Sequence, residues 1–207
     1  ALTATLTFIV AFGLVKAATN FFAGTLGDRF GRKPVLIAGW LVALPIPLLI
    51  IWAPTWGWVV FANVLLGVNQ GLTWSTTVIM KIDLVGPTKR GLAMGLNEAA
   101  GYGAVAITAL ATGYIAQRFG LRPEPFFLGI AFAGLGLGVS VFFVRETLGH
   151  ARHEATTHDA AHDTQSQALS TKEIFMLTSF RDKALSSCSQ AGMINNLNDG
   201  LAWGLFP

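Results

Sequence analysis

Long apolar runs separated by short charged joints set the pattern of this 207-residue chain. A helix crosses about 30 Å of hydrocarbon with about 20 residues, at about 1.5 Å each. Five runs reach that length: 1–26, 34–53, 57–80, 91–116 and 125–144. A sixth begins near Ala184 and reaches Pro207. None shows the apolar–polar alternation of a barrel strand, and lipid tolerates no unpaired backbone, so the runs are predicted to be helices. The fold class expected is all-α, a polytopic transmembrane helix bundle. Breakers mark the joints: Pro34, Pro54, Gly86-Pro87, and Pro123 with Pro125. Pro45 and Pro47 fall inside the second run, where a bend is expected.

Polar residues divide the runs into two kinds. The second has no charged or amide residue, and the fifth has only Ser140. The first carries Lys16 and Asn20, the third Asn63, Asn69 and Gln70, and the fourth Asn97 and Glu98. Polar groups at this depth are costly unless they face protein or water. Runs one, three and four are therefore expected to surround a polar interior, with two and five outside. Lys16 and Asn20 are i, i+4 and share a face. Asn63 and Gln70, i, i+7, begin a stripe that Thr73 and Thr77 continue. In the last run Asn195, Asn198 and Asp199 share another. Lys16 sits about ten residues, hence about 15 Å, from the charged end of its run, too deep to snorkel. The candidate substrate or coupling residues are Lys16, Asn20, Asn63, Gln70, Asn97, Glu98, Asn195 and Asp199. For the amides, interhelical bonding is the competing reading. Gly67 with Gly71, Gly91 with Gly95, and Gly134 with Gly138 are GxxxG pairs that predict close helix packing.

Composition agrees with this picture. Hydrophobic residues make up 53% and charged residues 12%, about half the usual share of charge. Mean hydropathy is +0.56. These values exclude a disordered chain, a collagen-like repeat and a nucleic-acid binder built on basic patches. One cysteine, Cys188, excludes a disulfide scaffold and a Cys-based metal site. The placement of charge says more than its sum. Loops 27–33, 81–90 and 145–183 hold eleven of the fourteen basic residues, and the positive-inside rule assigns them to the cytoplasm. A chain that starts inside one apolar run and stops inside another is expected to be an internal fragment of a longer membrane protein.

The first of these loops carries the most specific pattern. It reads Gly24-Thr-Leu-Gly-Asp28-Arg29-Phe-Gly31-Arg32-Lys33-Pro-Val-Leu36. This resembles the G-x-L-x-D-R-x-G-R-K-x-x-L loop between the second and third helices of the major facilitator superfamily. Gly24 is expected to let helix ends approach, Asp28 to cap a facing helix or pair with a base, and Gly31 to make the turn. Arg29, Arg32 and Lys33 complete the conformational loop, with Arg32 and Lys33 expected to hold it on the basic side and reach for inter-domain salt bridges. The resemblance spans the chain. It implies the N-terminal half of a twelve-helix transporter: helices two to six over residues 1–144, a central linker over 145–183, and the start of helix seven over 184–207. It places helices three and six outside, in agreement with the two dry runs. Arg90-Gly91 is similar to the family's R-G at the start of helix five. The implied mechanism is alternating access of a small solute driven by a gradient of H+ or another ion, in a bacterial inner membrane. The chain departs from two subfamily patterns. Asn63 stands where proton-linked members often carry Arg, and 107–113 lacks the Gly-Pro pair frequent in drug antiporters.

The 145–183 segment gathers all four histidines. His158 and His162 are i, i+4, a spacing able to chelate Zn or Ni, but it is not a metal signature by itself. A flexible tether is expected, with 174–180 as an amphipathic stretch on the membrane surface. No cofactor and no resident metal are expected. A metal or drug efflux permease of the same superfamily is the alternative function, and a non-transporting receptor or scaffold is the alternative of another class. The spans hold no HExxH helix, no Asp-rich diphosphate site and no Ser/His pair, so an enzyme is not expected. With no G-x-x-x-x-G-K-[ST] loop, energy is expected from a gradient. The expected partners are the solute, the bilayer, a coupling ion and the remaining helices of a full-length chain, with no nucleic acid.

Overall fold

The computed structural model describes residues 6–161 and 170–205, and every regular element among them is helical. The chain forms two compact units, Ala1–Thr156 and Thr157–Pro207. The first contains α1 (Thr7–Phe30), α2 (Arg32–Ala43), α3 (Pro45–Ile51), α4 (Trp56–Val85), α5 (Arg90–Phe119), α6 (Glu124–Phe142) and most of α7 (Leu148–Ala161). The second contains α8 (Thr171–Met176), a π-turn at Leu177–Arg181, and α9 (Lys183–Leu205).

The helix ends follow the local chemistry. Gly31, at φ 96, makes the one-residue turn between α1 and α2, a conformation that strains any residue with a Cβ. Gly86, at φ 66, ends α4, and a 3₁₀ turn over Pro87–Lys89 leads into α5. The second run is one apolar stretch broken at Leu44. Pro45 has no N–H to give the Leu41 carbonyl, so the helix is interrupted beside the prolines, at Leu44, whose own dihedrals stay helical. Ser170 and Glu173 start α8 with a reciprocal capping box.

Four helical segments are long and apolar enough to cross a membrane: Thr7–Phe30, Arg32–Ile51, Arg90–Phe119 and Glu124–Phe142. The predicted third run forms α4, which has 30 residues but is not among these four. Asn63, Asn69, Gln70 and the threonines lower the hydropathy of its central stretch. It is also the central helix, packed against α1, α2, α3 and α5. Burial of Asn69, Thr73, Thr76 and Asp83 among neighbours is what allows this polarity.

α1 and α4 run parallel with little space between them. A Cβ on Gly67 would lie 2.8 Å from the Phe12 carbonyl oxygen, and one on Gly71 2.5 Å from the Thr19 Cβ. That GxxxG pair packs as the pattern predicts. The other two pairs, Gly91 with Gly95 and Gly134 with Gly138, meet nothing within 4 Å among the described residues. Unpaired glycines do that work elsewhere: Gly39 receives Thr73 and Leu72, Gly136 the Trp40 ring, and Gly101 the Trp74 ring.

The second run is less peripheral within this unit than expected from its dryness. α2 lies against α4 and α6 and buries Val35, Leu36, Gly39 and Ala43. α5 is the least covered, burying only Ala93 and Asn97. Large apolar side chains such as Leu14, Phe22, Leu110 and Phe142 face outward, as surfaces in contact with lipid do. The predicted tether is helical at its start. Residues 148–156 of α7 pack with the first unit, where Arg152 donates to the Asp28 carbonyl at 3.4 Å and Arg90 pairs with Glu154 at 3.3 Å.

Candidate functional site

Two polar assemblies lie in the first unit, a seam among α1, α4 and α5 and a charged cluster at one end. In the seam, Lys16 Nζ donates to Gln70 Oε1 at 3.0 Å and stands 5.4 Å from the Phe12 ring centre. Glu98 of α5 makes no salt bridge to that ammonium, and its charge acts on it only across a gap. One turn along, Ser75 Oγ donates to Asn20 Oδ1 at 2.9 Å. Toward the charged end, Lys81 Nζ donates to Asn97 Oδ1 at 2.6 Å. Asn97 is buried, and its Nδ2 has no partner among the described residues. Run three thus pairs its polar residues with run one at Gln70 and Ser75, and with run four at Lys81.

Several predicted residues stand elsewhere. Asn63 bonds the Val59 carbonyl of its own helix at 2.9 Å, the local alternative open to any amide on a helix. The predicted Asn63–Thr77 stripe divides. Gln70 turns to α1, whereas Thr73 is buried against Gly39 on the α2 side. Asn69 donates to the Gly39 carbonyl at 2.9 Å and holds α4 to α2, an interhelical bond. Asn195 and Asp199 lie on α9 of the second unit. His162 lies outside the described residues, as does the side chain of His158. Among the described residues no group of three or more His, Cys, Asp or Glu is placed to hold a metal.

The charged cluster is built on the loop between α1 and α2. Arg32 is buried between two carboxylates: Nη1 is 2.7 Å from Asp28 Oδ1, and Nε is 3.3 Å from Asp83 Oδ2. Asp83 also accepts from Thr147 Oγ1 at 2.8 Å. Glu146 accepts from the backbone N–H groups of Arg32 and Lys33 at 2.9 and 3.0 Å, and so caps α2. It also accepts from the N–H groups of Thr147 and Leu148, at the start of α7. One carboxylate therefore binds two helix N-termini, where the backbone dipoles favour an anion. Lys33 Nζ donates to the Val141 carbonyl at 2.8 Å, and Arg29 lies over the Phe30 ring.

Two expectations for this loop are corrected. Gly24 makes no close approach, since a Cβ there meets nothing within 4 Å among the described residues. The close approach falls one turn later at Gly27, where a Cβ would lie 2.8 Å from Arg32 Nη1. Of the two roles expected of Asp28 it takes the second, pairing with Arg32, while Glu146 caps the facing helix; the salt bridges of Arg32 lie within the first unit, where inter-domain ones were expected. Gly31 is required twice, by its φ and because a Cβ would lie 2.6 Å from Glu146 Oε2. Asp83, Glu146 and Thr147 were missing from the sequence-based site. The available signal was acidic residues inside strongly basic flanks.

Burial opposes the charge of Glu146, but its four backbone N–H donors outweigh this and hold its carboxyl below the ordinary value of 4.5. A depressed carboxyl stabilises the fold above its unfolded pKa, and that contribution is lost as pH falls through the folded pKa. Glu146→Gln is therefore expected to lower the melting temperature at pH 7. The gap from wild type should be full above pH 4.5 and close on acidification below it. Melting curves across pH 3–7, on the full-length protein in detergent, check both points.

The fold and these polar assemblies define a multi-pass helical membrane protein with a polar interior and a charged end. The chain belongs to the Major Facilitator Superfamily, a family of transporters rather than enzymes, whose sequence model matches residues 2–203. It is similar to Multidrug resistance protein 2 of Bacillus subtilis, with 32% identity over 151 residues, 72% of this chain and 37% of the relative. It is also similar to Multidrug resistance protein MdtG of Dickeya zeae, with 30% identity over 142 residues, 68% of this chain and 34% of that protein. The proton-coupled antiporter flippase LtaA of Staphylococcus epidermidis is 34% identical over 83 residues, 40% of this chain and 20% of its own. The chain spans about a third of the length of the two multidrug resistance proteins. No solved structure matches it. Multidrug-resistance names thus occur among relatives of a chain that carries Asn63 at the Arg position and no Gly-Pro pair in 107–113.

Proposed function

We propose that this chain is the N-terminal half of a secondary transporter, which moves a small solute by alternating access along the α1–α4–α5 seam. The carrying observation is that seam: Lys16 bonds Gln70 and Ser75 bonds Asn20 between α1 and α4, and Lys81 bonds Asn97 between α4 and α5, all on long helices. Ionisable groups at membrane depth are costly and mark solute or ion paths, which gives Lys16 and Glu98 more weight than the amides around them. In this reading the Arg32 cluster locks one state of the cycle. Asp28, Arg32, Asp83, Glu146 and Thr147 tie the ends of α1, α2, α4 and α6 into one body able to rock as a unit. Glu98 is the carboxylate proposed to exchange a coupling proton, and the flippase relative's name lends support to proton coupling. The multidrug names favour efflux as the direction.

Solute flux in proteoliposomes of the full-length protein tests this. Transport that collapses with the proton gradient supports the reading, and no flux across a broad solute panel replaces it with a scaffold. The charged end is assigned to the cytoplasm, since it holds the basic loops. In a cysteine-free background of the full-length protein, with Cys188→Ser among its changes, Thr55→Cys is expected to react with a membrane-impermeant maleimide added to whole cells, and Thr88→Cys only after lysis. The reverse pattern inverts the topology.

A further inference from the structure

Lys16 and its surroundings carry more than a helix-to-helix contact. Among the described residues its three N–H donors meet one acceptor, Gln70 Oε1, and the face of Phe12. Gluing α1 to α4 would need no charge, since an amide pair does it without desolvating an ammonium. Asn20, one turn along the same face, accepts from Ser75 through Oδ1 and makes no bond through its Nδ2 donors among the described residues. On the opposite helix, Glu98 is exposed and accepts no hydrogen bond among the described residues, yet its charge reaches Lys16. Lys81, bonded to the neighbouring Asn97, is a second cation on these faces. The seam therefore has unfilled donors and two ammonium groups against one carboxylate.

We infer that Lys16 is the anchor for an oxyanion, a carboxylate or a phosphate-type group, on the solute. Asn20 supplies a second donor one turn away. Glu98 is the internal anion that neutralises Lys16 when the solute is absent, so solute and Glu98 compete for one ammonium. The proposal rests on reading the seam as the solute path. It goes beyond that reading by naming the chemistry recognised: donors and net positive charge suit an anion, and the Lys16 ammonium repels a cationic solute.

Direct binding to the full-length protein in detergent tests it by calorimetry. The probes are benzoate and phenylphosphonate, against benzamide and benzylammonium as neutral and cationic counterparts. At least one of the two oxyanions is expected to bind, and which of them binds separates carboxylate from phosphate-type recognition. Benzamide and benzylammonium are expected not to bind. Lys16→Met should weaken oxyanion binding about ten- to a hundredfold, the range of lost charge-assisted hydrogen bonds. Lys16→Arg, with the charge retained, should keep it within about threefold. Glu98→Gln should tighten it by about threefold or more, because the competitor is gone. That last variant keeps the idea exposed to failure even if Lys16→Met does not fold. Equal binding of benzamide, no oxyanion binding at millimolar concentration, or weaker binding in Glu98→Gln would each overturn the anchor. Oxyanion binding without flux would remove the transporter reading and leave the anchor. Flux of other solutes without oxyanion binding would do the opposite.

Discussion

Replacing Arg32 with Met is expected to destabilise the full-length protein by about 3–5 kcal/mol, the range for removing one partner from a buried ionic cluster. The magnitude comes from what remains. Asp83 is buried and keeps only the Thr147 hydroxyl among its described partners, so it becomes a buried carboxylate without its countercharge. Asp28 is exposed and loses little, since water solvates it. Arg32→Lys should fall between wild type and Met. A lysine keeps the charge, but a single ammonium does not reproduce a fork that meets Asp28 through Nη1 and Asp83 through Nε. Asp83→Asn in the Arg32→Met background should recover part of the loss by removing the stranded charge. Thermal unfolding of the four proteins in one detergent checks the order. Equal melting temperatures for wild type and Arg32→Met would show that the cluster contributes nothing to stability.

The second large effect is expected at Gly71. A Cβ there would meet the Thr19 Cβ at 2.5 Å and the Asn20 backbone nitrogen at 3.2 Å, so α1 and α4 must separate to admit one. Gly71→Val should cost about 3 kcal/mol, the upper end for overpacking. In lipid this matters more than the lost area suggests, because tight van der Waals packing is what associates helices there. Widening this seam also pulls Lys16 from Gln70 and Asn20 from Ser75, so solute transport should fall with stability. Gly138→Ala is the internal control. Its Cβ meets nothing within 4 Å among the described residues, and the change is expected to be neutral or to gain up to about 1 kcal/mol of helix propensity. Melting temperatures and initial flux rates of the full-length variants check this. A Gly71→Val protein as stable as Gly138→Ala would contradict the close approach.

The Lys16–Gln70 contact was half legible. Each residue was visible as a polar group in an apolar run, and helical spacing put Lys16 on one face with Asn20. The pairing was not visible, because they stand 54 positions apart with two helix reversals between them. Asn69 and Gln70 show the limit more sharply. They are neighbours in the chain, yet one binds α2 and the other α1. A rotation of about 100° per residue separates their roles, and only the packed arrangement says which helix lies in each direction. The loop motif showed a similar division. Gly31 and Arg32 were identifiable because a turn and a charge at fixed spacing have local causes. Glu146 was not, since it reaches Arg32 across 114 positions.

By itself the sequence determined the solvent each segment accepts. Apolar length, prolines at the joints and the gathering of basic residues decide helices, their ends and the charged side, because transfer into lipid and backbone pairing are local, nearly additive quantities. Tertiary structure alone decided which polar groups meet. It chose Gly67 and Gly71 over two other GxxxG pairs, Gly27 over Gly24, and Glu146 as the cap shared by two helices. Those choices depend on helix rotation and on contacts far apart in the chain, and no local free energy encodes either.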